Sequence, residues 1–264
     1  QKKTIRATAE LLHRAGVGYT VLGPEESCTG DPARRSGNEF LFQMLAMQNV
    51  EVLNAGFEGR EPGTRKIVTT CPHCLNTLGR EYPQLDGHYE VVHHTQLLNK
   101  LVREGKLVPV AEPAADKATY HDPCYLGRHN EVYAEPRELV AAAGATLTEM
   151  PRHADRSMCC GAGGARMWME ERIGQRVNVT RTTEALDTLS GVGGDGGTIA
   201  VGCPFCKTML SDGLTEKQSE GGGAGVQIQD VSQMLLAAVK RGDPATNGAA
   251  VAATTADATE DATS

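Results

Sequence analysis

The stretch AVGCPFCKTML, residues 200–210, occurs in a related form 132 positions earlier, as VTTCPHCLNTL at residues 68–78. The same shift places CTGDPAR (28–34) over CGAGGAR (160–166). In both copies the first cysteine of the Cys-x-x-Cys pair lies 43 positions after the cysteine of the other motif, from Cys28 to Cys71 and from Cys160 to Cys203. Such equal spacing indicates an internal repeat. We therefore predict two copies of one unit, related by a pseudo-twofold axis.

Within each copy, short stretches rich in β-branched residues alternate with longer helical patterns, and Gly or Pro separates them. This alternation predicts an α/β fold with largely parallel sheets. Ligands gather at the carboxyl ends of such strands. Both Cys-x-x-Cys pairs follow predicted strands, at 66–70 and 198–201. Further strands are predicted in the first copy at 19–22 and 50–53.

These patterns divide the chain into three parts. The first repeat is predicted over 1–115 and the second over 116–240. Residues 241–264 are dominated by Ala, Thr, Asp and Gly and contain no aromatic residue, which predicts a disordered tail. Because the sequence opens with Gln inside a helical pattern, we expect it to be the C-terminal portion of a longer protein.

Composition limits the classes of function. With 264 residues, 40% of them hydrophobic, the chain can bury a substantial core. A formal net charge of −7 and the lack of a basic run argue against a nucleic-acid partner or an anionic membrane surface. No signal peptide and no apolar run of about 18 residues is present, so we expect a soluble, cytoplasmic segment.

The eight cysteines carry the functional signal. In a reducing cytosol, clustered cysteines indicate metal or redox sites rather than disulfides. The second copy holds five and the first copy three, namely Cys124, Cys159, Cys160, Cys203 and Cys206, and then Cys28, Cys71 and Cys74. Five thiolates exceed the needs of one zinc ion, and the adjacent side chains of Cys159 and Cys160 diverge in extended backbone. An iron–sulfur cluster offers ligand positions far enough apart.

The glycines after the cysteine pair, Gly161, Gly163 and Gly164, let the backbone approach such a cluster and present amide hydrogens to sulfide. His121 and Asp122 either set the turn before Cys124 or donate a hydrogen bond to sulfur. We interpret His73 as a packing residue or a residue that supports a ligand, rather than as a ligand itself, and His93 and His94 as structural. The alternatives to a cluster are a structural zinc site and a thioredoxin-like dithiol.

Three motifs together, HDPCYLGR (121–128), MCCGAGG (158–164) and CPFC (203–206), closely resemble the cysteine-rich CCG domain of the heterodisulfide reductase catalytic subunit and its relatives. Among these relatives are the iron–sulfur subunits of systems that oxidise glycolate, lactate and glycerol 3-phosphate. In style the chain is closest to actinobacterial membrane-associated iron–sulfur reductases of electron-transferring flavoprotein. The resemblance extends to about residue 240.

This resemblance implies a non-cubane [4Fe-4S] cluster on the five cysteines of the second repeat. In the first repeat Ser27 replaces the first cysteine of the pair, and the counterpart of Cys124 would fall before residue 1. Three candidate ligands remain there for a second [4Fe-4S] cluster. No residue is assigned a catalytic role.

The function that the resemblance implies is electron transfer from a flavoprotein dehydrogenase, such as electron-transferring flavoprotein, toward a quinone or similar acceptor. Upstream ferredoxin-type and membrane segments of the same protein would place it at the inner face of the plasma membrane. Two alternatives are open: a disulfide reductase that acts at the cluster, and a zinc-stabilised binding module without redox activity.

Overall fold

The computed structural model describes residues 1–111, 116–193 and 196–243. These residues form nine α-helices: α1 Lys2–Arg14, α2 Asp31–Arg35, α3 Glu39–Gly56, α4 Pro72–Asn76, α5 His94–Arg103, α6 Ala134–Ala142, α7 Val177–Ser190, α8 Pro204–Ser219 and α9 Val231–Arg241. They also form six strands: β1 Lys66–Thr69, β2 Glu90–His93, β3 Lys117–His121, β4 Thr146–Leu147, β5 Gly197–Val201 and β6 Val226–Asp230.

All strand pairs in these residues are parallel. β1 pairs with β2 in a two-stranded sheet, and the second sheet has the order β4-β3-β5-β6. The succession β1, α4, β2, α5 in the first repeat matches β5, α8, β6, α9 in the second. The predicted α/β class and the predicted duplication are confirmed.

The four-stranded sheet is covered on both faces, as parallel sheets require. On β3 and β5, Tyr120 and Ala200 join a core with side chains of α1, α5, α6 and α9, whereas Ile199 and Val201 face a second core with α7 and α8. This alternation follows the period of two along a strand. The carboxyl ends of β3 and β5, where the cysteine motifs begin, are thereby held in a rigid frame.

Two of the predicted strands are wrong. Residues 50–53 lie inside α3, which begins where the Asn38 side chain accepts a hydrogen bond from the amide of Leu41 and runs without Gly or Pro until Gly56. Tertiary packing of this long helix overrides the β preference of two valines. Residues 19–22 form no strand. In the second repeat the corresponding β4 pairs with β3, whereas no strand corresponding to β3 is present among the described residues of the first repeat.

Elements of each repeat pack against elements of the other. The first helix, α1, packs against α9 of the second repeat, and Leu75 packs with Leu126 and Val132. The predicted boundary at 115/116 lies at the edge of the described residues. Most of the predicted tail lies outside them, since only residues 241–243 are described. Among the described residues, no helix combines the length and apolar character needed to cross a bilayer.

Candidate metal centre

The five cysteines of the second repeat come together beyond the carboxyl ends of β3 and β5. Their thiols interact directly, each with the next, in the order Cys124, Cys159, Cys160, Cys206 and Cys203. The last three are buried, and Cys124 and Cys159 are half-buried. We call these residues the five-cysteine group.

The Cys-x-x-Cys pairs are positioned in the same way in both repeats. Cys203 is the residue before α8, with Pro204 at the first helical position, and Cys71 stands in the same relation to α4. Proline at this position loses no helical hydrogen bond and fixes the backbone angle in advance. Because residues three apart share a helix face, Cys206 lies on the same side as Cys203.

The thiols of the adjacent cysteines interact with each other, and each also has a second partner, Cys124 for Cys159 and Cys206 for Cys160. A backbone turn at Gly161, with φ of +90°, follows the pair. The Gly161 amide donates a hydrogen bond to Cys159 Sγ at 3.2 Å. In the first repeat the amide of Gly30 donates to Cys28 Sγ at 3.4 Å, and its counterpart under the 132-residue shift is the hydrogen bond from the Ala162 amide to Cys160.

The three glycines differ in how strongly the surrounding structure requires glycine at their positions. A Cβ added to Gly161 would lie 3.3 Å from the amide nitrogen of Asn178 and from the Met209 side chain, in a backbone conformation that favours glycine. A Cβ on Gly163 would meet only Cys159 Sγ, at 3.9 Å. At Gly164 the space is open, although φ is +64°.

We expect Gly161→Ala to cost about 1–3 kcal/mol of backbone strain and to shift the turn that holds Cys159. Iron retained per chain after anaerobic purification and desalting should fall clearly below that of the natural sequence. The matched control is Gly163→Ala, which should retain the iron of the natural sequence. Equal iron in both variants would contradict the assignment of Gly161 as the close-approach position.

The thiols of the five-cysteine group differ in pKa. Hydrogen bonds from Cys124 and Cys160 lower the pKa of Cys159. Burial opposes ionisation of Cys203, but hydrogen bonds from Cys206 and Cys71 bring its pKa down to about 6. The hydrogen bond to Cys159 raises the pKa of Cys160 to about 12. Since metals bind thiolates, a bound cationic group would displace the protons of the donor thiols.

His121, at the end of β3, belongs to the same site. One of its ring nitrogens lies within 4.8 Å of Cys160 Sγ and Cys206 Sγ, which are themselves within this distance of each other. Burial, and then the neighbouring Arg181, lowers the pKa of His121 to about 3. Arg181 is itself fully buried, and its Nη2 has no hydrogen-bond partner among the described residues. A buried guanidinium with a spare donor suits a negatively charged group.

The donor set fits a cluster of several irons better than one zinc ion. In a tetrahedral zinc site, four ligand atoms meet at one point. Among the described residues, the only group of three or more donors that lie within 4.8 Å of one another is His121 with Cys160 and Cys206. The other three cysteines extend the group in two directions, as an extended polynuclear cluster requires.

In the first repeat, Cys71 and Cys74 interact directly, and the hydroxyl of Thr29 lies 3.6 Å from Cys74 Sγ. Cys28 is exposed and lines a groove of about 360 Å³. Both repeats line this groove, and its other walls are mainly apolar, formed by α2, α3 and the segment of Ala165, Trp168 and Met169. Of the predicted first-repeat ligands, Cys71 and Cys74 therefore lie inside the protein, whereas Cys28 is open to the groove.

The cysteines of the two repeats are also in contact with each other. The thiol of Cys71 interacts with that of Cys203, which joins the first-repeat pair to the five-cysteine group. His73 lies at the same junction. Its Nδ1 is 2.8 Å from Asp31 Oδ2, and its ring packs on Tyr125 at 4.3 Å between ring centroids. His73 is thus a packing residue, as interpreted from sequence, but one that links the repeats.

His93 and His94 form a buried polar junction that sequence analysis underrated. His94 Nε2 lies 3.2 Å from Asp230 Oδ1. The ring of His93 interacts with the backbone of Thr70 and Gly202, the residues that precede the two Cys-x-x-Cys motifs. A shift of 137 positions would have revealed the pattern, because it aligns TQLL (95–98) with SQML (232–235) and His93 with Asp230. Both aligned residues cap the helix that follows.

Asp122 sets the turn before Cys124, one of the two roles left open by the sequence. Its carboxylate accepts two hydrogen bonds from Arg137, at 2.7 and 2.9 Å, and one from the amide of Ala154 at 2.8 Å. Arg137 also binds Glu149. The HDPC turn is therefore clamped to α6 and to the segment that leads to the cysteine pair.

The chain is similar to one protein family and to several known proteins. The family model of the cysteine-rich CCG domain matches residues 1–79 and 118–211. The EtfAB:quinone oxidoreductase of Syntrophomonas wolfei is 42% identical over 246 residues, which cover 90% of this chain and 32% of that protein. The probable iron–sulfur-binding oxidoreductase FadF of Bacillus subtilis is 45% identical over 236 residues, or 89% of this chain and 31% of that protein.

A more distant relative belongs to the dihydromethanophenazine:CoB–CoM heterodisulfide reductase of Methanosarcina barkeri. This polypeptide is 30% identical over 88% of this chain and 54% of its own length. The chain spans about a third of the length of the two relatives above. The family model covers both repeats, including all eight cysteines. The chain therefore belongs to the family of the cysteine-rich CCG domain.

Proposed function

We propose that this chain is an iron–sulfur electron-transfer module of an oxidoreductase. The observation that carries the proposal is the five-cysteine group, whose thiols are largely buried and each in contact with the next. Relatives named as iron–sulfur oxidoreductases support the same class of function. A cluster bound here supplies one-electron redox chemistry, and the protein sets its potential through ligands, hydrogen bonds to sulfur and burial.

In the second repeat we assign Cys124, Cys159, Cys160, Cys203 and Cys206 as ligands of a [4Fe-4S] cluster of the non-cubane type. The amide hydrogens of Gly161 and Gly163 point at Cys159 and stabilise its thiolate. Burial of the other end of the group, at Cys203 and Cys206, excludes water from the site.

In the first repeat we assign Cys28, Cys71 and Cys74 as ligands of a second [4Fe-4S] cluster. Only three protein ligands are available among the described residues, and Cys28 is open to the groove. The contact between Cys71 and Cys203 supports electron exchange between the two sites. We propose repeat boundaries near residues 115 and 240.

We further propose that electrons enter from a flavoprotein dehydrogenase and leave toward a quinone. The support is the relative named for EtfAB and quinone and a probable membrane-anchored ferredoxin of Chromohalobacter salexigens, 38% identical over 93% of this chain. Since the chain spans a third of such proteins, ferredoxin-type or membrane segments would belong to the remainder of a longer protein at the plasma membrane.

The test is to purify the protein anaerobically and to quantify iron, sulfide and zinc per chain. We expect iron and acid-labile sulfide in equal amounts, at about four of each per occupied site, with an electron paramagnetic resonance signal in the oxidised state. Reduced electron-transferring flavoprotein should bleach the visible absorption of the cluster. Zinc without iron would contradict the proposal and favour a structural module.

Disulfide reduction at the cluster is the second candidate, favoured by the match to a heterodisulfide reductase. The iron-loaded protein would be supplied with reduced methyl viologen and a disulfide, and thiols would be counted. Thiol formation that depends on the cluster would favour this candidate, whereas electron transfer without thiol formation would favour the first.

A further inference from the structure

The pair of Arg181 and His121 determines which nitrogen of a buried imidazole carries its proton. Arg181, on α7, has a fully buried side chain, and His121 is 1% exposed. The Nε of Arg181 lies 3.1 Å from His121 Nδ1. The guanidinium is fixed from its other side by Glu184 Oε2 and by the carbonyl oxygen of Arg152, both 2.8 Å from Nη1.

An arginine Nε can donate a hydrogen bond but cannot accept one, and arginine keeps its proton in proteins. His121 Nδ1 must therefore be the acceptor in this contact. A neutral imidazole has one proton, so that proton resides on Nε2. Because the guanidinium is anchored at two further points, the tautomer is fixed by the fold rather than by solvent.

The tautomer decides what His121 can do beside the cysteines. Spacing alone makes His121, Cys160 and Cys206 a candidate three-donor metal site. A nitrogen that holds a proton has no lone pair for a metal, and Nδ1 is occupied by Arg181. The ring can only present an N–H group to sulfur.

We propose that Arg181 is a positioning residue that holds His121 as a hydrogen-bond donor to the thiolate sulfurs of Cys160 and Cys206, and so excludes it as an iron ligand. This inference rests on the proposed function for the presence of iron. A hydrogen bond to a ligating sulfur stabilises the more negative, reduced form of a cluster. His121 and Arg181 therefore raise the reduction potential of the second-repeat site.

The main test compares His121→Gln with His121→Leu. Glutamine keeps an N–H donor near the position of Nε2, whereas leucine keeps bulk without a donor. We expect both to retain the iron of the natural sequence. The midpoint potential, measured by redox titration with electron paramagnetic resonance, should shift downward in His121→Leu and much less in His121→Gln. Loss of cluster iron in both variants would overturn the proposal, as would an unchanged potential in His121→Leu.

Whether a nitrogen of the His121 ring binds iron can be measured directly. In protein labelled with ¹⁵N-histidine, electron–nuclear double resonance detects a strong nitrogen coupling if imidazole binds iron. We expect only a weak coupling that disappears in His121→Leu, and a strong one would overturn the proposal.

Arg181→Lys should keep a buried cation but lose the Nε geometry, so its potential should also shift downward. His153→Leu is the control, because His153 bonds to the carbonyl oxygen of Met150 and should leave the potential unchanged.

Failure of the proposed function would be recognised separately. If the natural sequence binds no iron, the protein is diamagnetic, and the ¹⁵N chemical shifts of the His121 ring report the tautomer directly. A proton on Nε2 that moves in Arg181→Met would support the positioning role of Arg181 alone. A proton on Nδ1 would overturn it.

Discussion

Replacement of Cys160 by serine should abolish the cluster of the second repeat. Cys160 is 4% exposed and lies in the middle of the five-cysteine group, between Cys159 and Cys206. Its loss divides the group into two parts that no longer adjoin. The effect should exceed the roughly 10- to 100-fold loss of metal affinity that follows removal of a supporting residue. Iron per chain should fall by the content of one cluster, and the oxidised-state resonance signal should disappear.

The matched control is Cys28→Ser, in the corresponding position of the first repeat. Cys28 is exposed and belongs to the other site, so the oxidised-state signal of the second repeat should persist in this variant. Loss of the signal in both variants would indicate that the two repeats share one cluster. Persistence of the signal in Cys160→Ser would refute the ligand assignment.

Replacement of Arg137 by methionine should produce a large loss of stability. Its partner Asp122 has a side chain that is only 2% exposed, and the guanidinium also binds Glu149. Removal of one member of a buried ion pair leaves an unpaired charge and costs roughly 3–5 kcal/mol. Because the Ala154 amide still binds Asp122, we expect the lower end, about 3 kcal/mol.

For a chain of this size, that loss corresponds to a fall in Tm of about 6–12 °C. It should be measured by thermal unfolding of anaerobically prepared protein, followed by circular dichroism. Arg103→Met is the control, because Arg103 binds Glu138 in a pair whose side chains are 65% and 40% exposed. Exposed pairs contribute little, so Tm should stay within experimental error. A similar fall in both variants would show that Asp122 is not held by Arg137 as described.

The sequence alone predicted the architecture because the spacing of the cysteines is the same in both copies of the repeat. Equal separations within the two copies predicted the repeat, and the alternation of helix and strand predicted parallel sheets. The individual strands were harder to place. The valines of 50–53 favour a strand locally, but the helix that starts at Asn38 continues through them because its apolar face packs on the first-repeat core.

The cysteine motifs also predicted which side chains gather at the site, but not the residues that support them. Arg181 lies 60 positions from His121 in the chain, inside an ordinary helix, and nothing in its neighbourhood marks it as buried. His93 and Asp230 differ in residue type, and the shift of 132 that aligns the cysteine motifs does not bring these two helix-capping residues together. Such partners depend on side-chain contacts across elements, which periodicity does not encode.

The packing of α1 against α9 has a consequence for synthesis on the ribosome. Leu11 and Leu12 are buried against Val231 and Leu235, near the other end of the described chain. At roughly 5–20 residues per second, the chain between them takes about 11–45 s to emerge. For that time the apolar face of α1 lacks its partner α9, and the part that α5 does not cover is exposed to aggregation or to a chaperone. Cys203 and Cys206 emerge in the same late interval, so the five-cysteine group is among the last parts of the nascent protein to be completed.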